Sequence, residues 1–386
     1  MTRQGMATTL VRNLGGVAIA LVAHVADACP FCGAVGPTLA MRRDAAVATA
    51  VGTATGPVRS DAAAGLVQPF TLASMLRGRH LPTGTALAAR VPAPVTGTAL
   101  LFATAAPAAD RTDALEWRGL AADEALLAHA ALVPATTLAA EERLPFFAAR
   151  LEHPDDAIAT DAFAEFGQAP FAAVRATAPA LGSRPLADWL TDPGIDQRRR
   201  GFYGLALGIV AGAGLPAANP ATTRPLRATI AANDGDFRAG IDGVMAGLLV
   251  AEGQAGLDWL LARSSPTRPV EQKQLLAAVR FAGEELAADI PRARIVAATA
   301  VLVTSPVVAA DAVIDLARLG GWDHLDTVAA LWHGPGADDP HIRRAIAGYL
   351  TVCPRPEARA HLDRLRRDDP QRLAAAITAA GLLRPE

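Results

Sequence analysis

The 386-residue chain is poor in several residue types, and each shortage removes a class of function. Only 5% of the residues are aromatic, which argues against a large all-β sandwich and against a platform for stacking nucleic-acid bases. Lys273 is the single lysine, so a phosphate-cradling GxxxxGK[ST] loop could exist only there, and it does not. The sequence has no GxGxxG leading from a strand into a helix, no GxSxG elbow and no HExxH pair, so the usual marks of dinucleotide binding, hydrolase chemistry and zinc proteolysis are missing. The formal charge of −2 excludes a broadly basic nucleic-acid binder, whose affinity comes from a dense cationic surface.

What is present is alanine, arginine and apolar residues. At 51% hydrophobic and 19% charged, the chain can bury a large core, and its length suits about two domains. Nearly all positive charge is arginine, so surface ion pairs are Arg pairs, planar and bidentate where geometry allows.

Residues 1–28 read as a secretory signal. Arg3 and Arg12 precede an apolar run from Leu14 to Ala23, and Ala26-Asp27-Ala28 is a small-x-small cleavage site. The run is shorter than the roughly 20 residues that span a bilayer, and no other window approaches that length. The expectation is an exported protein, periplasmic or extracellular, with lipid anchoring through Cys29 the weaker alternative. The mature chain would begin Cys29-Pro-Phe-Cys32. Disulfides persist in an oxidising compartment, and a local structural Cys29–Cys32 bridge is the favoured reading. A redox-active pair is the alternative; such a site needs a preceding strand, and here the signal precedes it. Haem attachment fails because Gly33 stands where a histidine is required. Cys353, in Tyr349-Leu-Thr-Val-Cys353, reads as a buried free thiol.

From Ala45 to Trp117 short runs are bounded by Gly, Pro and Thr. Ala45–Val51, Pro69–Met75, Thr85–Val91, Gly97–Phe102 and Leu115–Trp117 read as short antiparallel strands. The order of CxxC, strand, Leu72–Gly78 hairpin and Gly97-Thr-Ala-Leu-Leu-Phe102 strand resembles a netrin-like, OB-barrel-type module. The resemblance implies architecture only, because the additional cysteines that pin such modules are missing.

From about Ala121 apolar positions recur at three- and four-residue steps, and prolines punctuate them, including Pro154, Pro170, Pro291, Pro340 and Pro370. A phrase recurs: Asp, then an apolar residue at +3 and small or apolar residues at +7 and +10 or +11. Its copies open at Asp155, Asp196 and Asp339, with weaker ones at Asp236 and Glu271. Neighbouring copies start about 35–41 residues apart, a helical-repeat period. Asp at a helix start caps free N–H groups and suits the positive end of the dipole. Residues 140–384 thus resemble HEAT-repeat proteins. The expected architecture is mainly α: a small β-rich module over 29–119 and an α-solenoid of HEAT-like helix pairs over 120–384.

The layout as a whole also resembles a group of secreted proteins of planctomycete-like bacteria, in Cys-Pro-Phe-Cys, Leu144-Pro-Phe-Phe, Asp155–Phe166, Arg198–Gly201 and Leu276–Gly283 with Ile290-Pro-Arg292. No activity is attached to that group, so the resemblance implies nothing about chemistry.

Candidate chemistry is thin. Asp323, His324, Asp326, His333, Asp338, Asp339 and His341 are the densest polar cluster and contain metal-ligating types. A Gly-Pro-Gly turn separates His333 from His341, and the Asp pair reads as a helix cap, so a solvated repeat junction is the favoured reading. Glu141-Glu142 and Glu284-Glu285 are adjacent pairs, which do not face each other on a helix. Arg198-Arg199-Arg200 is the only strong basic run and a candidate patch for an anionic partner; the alternative is a helix start paired with Asp192 and Asp196. Trp189, Trp259, Trp322 and Trp332 read as core. No catalytic residue, metal or cofactor is assigned. The expected role is an exported, non-enzymatic scaffold that binds a protein or peptide along a solenoid face, with no nucleic acid. The alternatives are thiol-disulfide exchange at Cys29 and Cys32, or binding of an anionic polymer through Arg198–Arg200.

Overall fold

A computed structural model describes Phe31 and residues 35–78, 80–105, 115–213, 220–232, 238–264 and 268–381. The expected signal segment, residues 1–28, and both cysteines of the CxxC motif lie outside these residues.

The chain enters through α1 (Leu39–Ala45), whose N-cap Thr38 accepts from Met41 N. Six strands follow: β1 (Ala48–Ala54), β2 (Arg59–Asp61), β3 (Gly65–Gly78), β4 (Ala86–Arg90), β5 (Thr98–Ala105) and β6 (Leu115–Ala121). Five of them close into a ring in the order β1, β3, β4, β6, β5 and back to β1. The β4–β6 pairing is parallel, through Ala89↔Trp117 and Arg90↔Arg118, and the others are antiparallel. Two register shifts between β1 and β3 bend this pair around the barrel. β2 pairs only with β3.

Alanine is a weak strand former, yet it suits this interior. Ala48, Ala50, Ala89, Ala99 and Ala103 leave room for Phe70, Leu72, Leu101 and Trp117 in one small core. Alternation sends Leu100 and Phe102 of β5 to the outer face. There they are buried as well, against Leu39, Ala46, Leu126 and Ile158. β5 is therefore covered on both sides, which is why its sequence is a continuous apolar run rather than an alternating one. Gln68, almost fully buried, latches the β4–β5 loop: it donates to Val95 O and accepts from Val95 N, both at 2.8 Å.

The remainder is helical, as the periodicity implies. It begins with α2 (Glu124–Leu132), α3 (Ala140–Ala148), α4 (Asp156–Gln168), α5 (Phe171–Ala176) and α6 (Ser183–Thr191). Next come α7 (Arg200–Ala213), α8 (Pro220–Ala231), α9 (Ile241–Glu252), α10 (Gln254–Arg263), α11 (Pro269–Glu285) and α12 (Arg292–Leu302). The chain then forms α13 (Ala309–Arg318), α14 (Leu325–Ala330), α15 (Pro340–Val352), α16 (Pro356–Asp368) and α17 (Pro370–Gly381). The expected caps are made: Asp155 holds Ala157 N, and Asp339 holds His341 N. Pro269, Pro340 and Pro356 sit in first turns, where the missing N–H leaves no bond unmade.

Alternate helices pack on one another: α7 on α9, α9 on α11, α13 on α15 and α15 on α17. The α7–α9 contact is the most extensive and is made by glycines. Gly201 of α7 faces Gly243 of α9, and Gly204 and Gly208 face Gly247, so backbone meets backbone. Among the described residues no helix is long and apolar enough to cross a membrane.

Candidate functional site

Cys29 and Cys32 lie outside the described residues, but Phe31 between them does not. It is buried in the helical core, edge-on to Phe281 with ring centroids 5.2 Å apart. Val35 and Ala40 pack into the same core, and Gln168 Nε2 donates to Gly36 O at 2.9 Å. The segment from Phe31 to Gly36 is thus anchored to the helices, before α1 reaches the barrel.

The basic run divides, and this corrects its reading as one patch. Arg198 is exposed and chelates Asp196, with Nη2 to Oδ2 at 2.6 Å. Arg199 is only 5% exposed and cannot meet an outside partner. It donates to Glu152 Oε1 at 3.1 Å, Asp156 Oδ1 at 3.0 Å and Thr160 Oγ1 at 3.0 Å. Tyr203, one turn on, donates to the same Glu152 carboxylate and to Leu151 O. Three consecutive arginines on a chain entering a helix point three ways, so one of them faced the neighbouring α4. Asp192, expected to pair with the run, instead accepts from Gly194 N.

The aspartate and histidine cluster is likewise dispersed. Asp323 pairs with Arg355, Asp326 with His361 at 2.8 Å, and Asp339 caps α15. His333 and His341 are exposed, and among the described residues no three His, Cys, Asp or Glu gather to hold a metal ion. Glu141 and Glu142 stand exposed in the first turn of α3, and Glu284 and Glu285 end α11. Trp332 is buried, and its Nε1 reaches toward Asp369. Trp189 packs on Tyr203 and Trp322 on Tyr349. Trp259 differs, lying under the guanidinium groups of Arg227 and Arg263. Cys353 is a half-buried free thiol.

A buried polar cluster that the sequence did not disclose lies where the barrel meets the helices. On α4, Asp161 and Glu165 stand one turn apart among apolar residues. Asp161 accepts from Leu39 N at 2.7 Å, and its other oxygen is 3.0 Å from His129 Nε2. Phe146 stacks on the His129 ring and Phe147 meets it edge-on. Arg143 Nη1 lies 3.1 Å from Glu165 Oε2, but off the N–H direction, so this is a charge contact and not a hydrogen bond. Burial raises the Glu165 pKa; a hydrogen bond from Thr38 and the Arg143 charge oppose it. A His–Asp pair can serve as a general base where a substrate can reach it. Here both side chains are almost fully enclosed and the second imidazole nitrogen faces no solvent, so the pair locks α1 and α2 onto α4. The members of the whole cluster, with Arg143, come from three separate helices; the local signal was the pair of acids at i and i+4 on an otherwise apolar helix.

Among the described residues a cleft of about 660 Å³ lies between α15, α16 and α17. Arg355, Arg359 and Arg366 line it beside Leu350, Leu362 and Ile377, with Asp363 paired to Arg366. Pro354 and Pro356 stiffen its mouth. Such a cleft offers apolar floor and cationic wall together. The chain matches no protein-family model, no curated protein and no solved structure.

Proposed function

We propose that this chain is an exported, non-enzymatic interaction scaffold, in which an OB-type barrel caps a HEAT-like solenoid. One observation carries the repeat reading: a series of polar ties in the helical part joins residues about one repeat apart. Gln274 donates to Arg238 O, Arg280 to Asp315, Arg294 to Asp258, and Arg355 to Asp323, at separations of 36, 35, 36 and 32 residues. His361–Asp326 and Trp332–Asp369 continue the series at 35 and 37. Equivalent positions of successive units touch in a stack where each unit contacts its neighbours. The barrel reading is supported by the closed five-strand order with its single parallel pair.

The partner is a protein segment bearing acidic and apolar side chains, held in the cleft of Arg355, Arg359 and Arg366. This moves the anion-facing surface from Arg198–Arg200 to the last helices. The burial of Phe31 favours a structural role for the Cys29–Cys32 segment over an accessible redox pair. Crosslinking of the mature chain in its native envelope, with the crosslinks mapped, tests the reading. A partner crosslinked to residues 350–377, and lost in an Arg359→Glu/Arg366→Glu variant that keeps its far-UV spectrum, is expected. Turnover of a disulfide substrate abolished by Cys29→Ser would overturn it.

A further inference from the structure

A second cleft, about 300 Å³, opens where the core between barrel and helices stops short of filling. Its apolar wall is Leu39 of α1, Leu100 and Phe102 of β5, and the end of α2 at Ala130 and Ala131. Leu76 lines it too, although that side chain is 52% exposed. The register shift between β1 and β3 explains Leu76: Thr49 pairs with Arg77 and Ala50 with Met75, so Leu76 has no cross-strand partner and bulges outward. Bulges of this kind re-aim side chains and recur beside functional sites.

Thr49 and Arg77 are directly opposite on the two strands, so their side chains stand on the same face. Both line the cleft. Thr49 is 3% exposed, and its hydroxyl has no hydrogen-bond partner. Buried hydroxyls are nearly always bonded, so a lone one lining a cleft marks the place of an absent partner. Arg77 spends one nitrogen on Arg43 O at 3.0 Å and on Asp44 at 3.5 Å. Its remaining N–H donors have no partner among the described residues. The charged groups at the mouth are Arg43 and Arg77, which line it, against Asp44, whose carboxylate is already held by Arg43 and by Thr136 N and Oγ1. The mouth therefore favours an anion.

We propose that this cleft binds a medium-chain alkyl carboxylate, its head group bridging Thr49 Oγ1 and the Arg77 guanidinium and its tail lying on Leu39, Leu100 and Phe102. A planar carboxylate accepts from a guanidinium and a hydroxyl at once. The volume holds roughly ten water-sized groups at about 30 Å³ each, which sets the chain near eight to ten carbons. The site is independent of the arginine-lined cleft at the far end of the chain.

Decanoate, decan-1-ol and tetradecanoate, titrated calorimetrically into the mature full-length chain below their micelle-forming concentrations, test the site. Decanoate is expected to bind at least about tenfold more tightly than decanol, and tetradecanoate no more tightly than decanoate. Arg77→Gln, on an exposed side chain, should remove most of the preference for decanoate over decanol. Ala131→Phe, an exposed change that fills the cleft, should abolish both. Each variant's far-UV spectrum and urea midpoint establish that it is folded. No binding of decanoate, equal binding of acid and alcohol, or affinity unchanged in both folded variants would overturn the proposal.

Discussion

A single methyl group on Gly247 should unseat the α7–α9 contact. A Cβ built there would lie 2.0 Å from Gly204 O and 2.6 Å from its carbonyl carbon. Both are backbone atoms of a helix and cannot rotate aside. Restoring an ordinary contact of 3.4 Å parts the helices by about 1.4 Å, and close-packed interiors do not absorb such a gap. Val244 and Leu248 on α9, and Leu205 on α7, would lose contact with it. Overpacking of this kind costs about 1–3 kcal/mol, and parting two long helices places Gly247→Ala at or above the upper end. Against that stands about 1 kcal/mol of helix preference for Ala over Gly. The net expectation is a loss of about 2 kcal/mol. Gly348 of α15 is the control, because its Cβ would meet only Ala380 Cβ, at an ordinary 3.7 Å. Gly348→Ala should therefore stabilise, by roughly 0.5–1 kcal/mol. Urea titrations followed by far-UV circular dichroism measure both. If Gly247→Ala matches the parent within about 0.5 kcal/mol, or the two variants shift in the same direction, backbone contact does not govern this interface.

Three further outcomes follow from polar groups held by specific partners. Arg199→Met leaves Glu152 without its ion pair and should cost roughly 3 kcal/mol in the same titration, whereas Arg198→Met, on an exposed pair, should cost almost nothing. The chain has two tyrosines. Burial raises both: Tyr349 to about 12, and Tyr203 higher still, with Glu152 adding to the effect. An unfolded tyrosine ionises near pH 10, so stability is present below about pH 10 and lost as pH rises toward 12. The native chain should show no phenolate absorbance near pH 10, and a full tyrosine signal there without unfolding would refute the burial argument. Asp44 is held well below the usual carboxylate range by its bond from Arg43 and by those from Thr136. Its stabilising effect is present above about pH 4 and lost as pH falls toward its folded value, so Asp44→Asn should flatten the acid side of a stability–pH curve. An unchanged acid slope would show that Asp44 does not couple α1 to the α2–α3 loop.

Local chemistry could be read from the chain itself. Gly- and Pro-bounded runs gave strands near their observed places, because turn residues act within a few positions of where they stand. The Asp caps of α4 and α15 and the prolines in first turns were legible for the same reason: a cap satisfies donors only two or three residues away. The short strand β2 and the helix α1 were not, because Arg59–Asp61 carries no apolar pattern and Leu39–Ala45 is too short to show a period.

The tertiary structure alone decided which faces met. Strand pairing across the barrel joins β4 to β6 in parallel, and nothing in either strand announces that partner. Arg198 and Arg199 are identical in type and adjacent, yet one is solvated and the other is enclosed by Glu152, Asp156 and Thr160. His129, Arg143 and Asp161 come together from three helices, and Thr49 lost its hydrogen-bond partner only because an outer barrel face met α1 and α2 without filling the space between. A residue's type sets what it can bond, but burial depends on surfaces contributed by distant parts of the chain. The sequence therefore determined the elements and their caps, and the packing of those elements determined the sites.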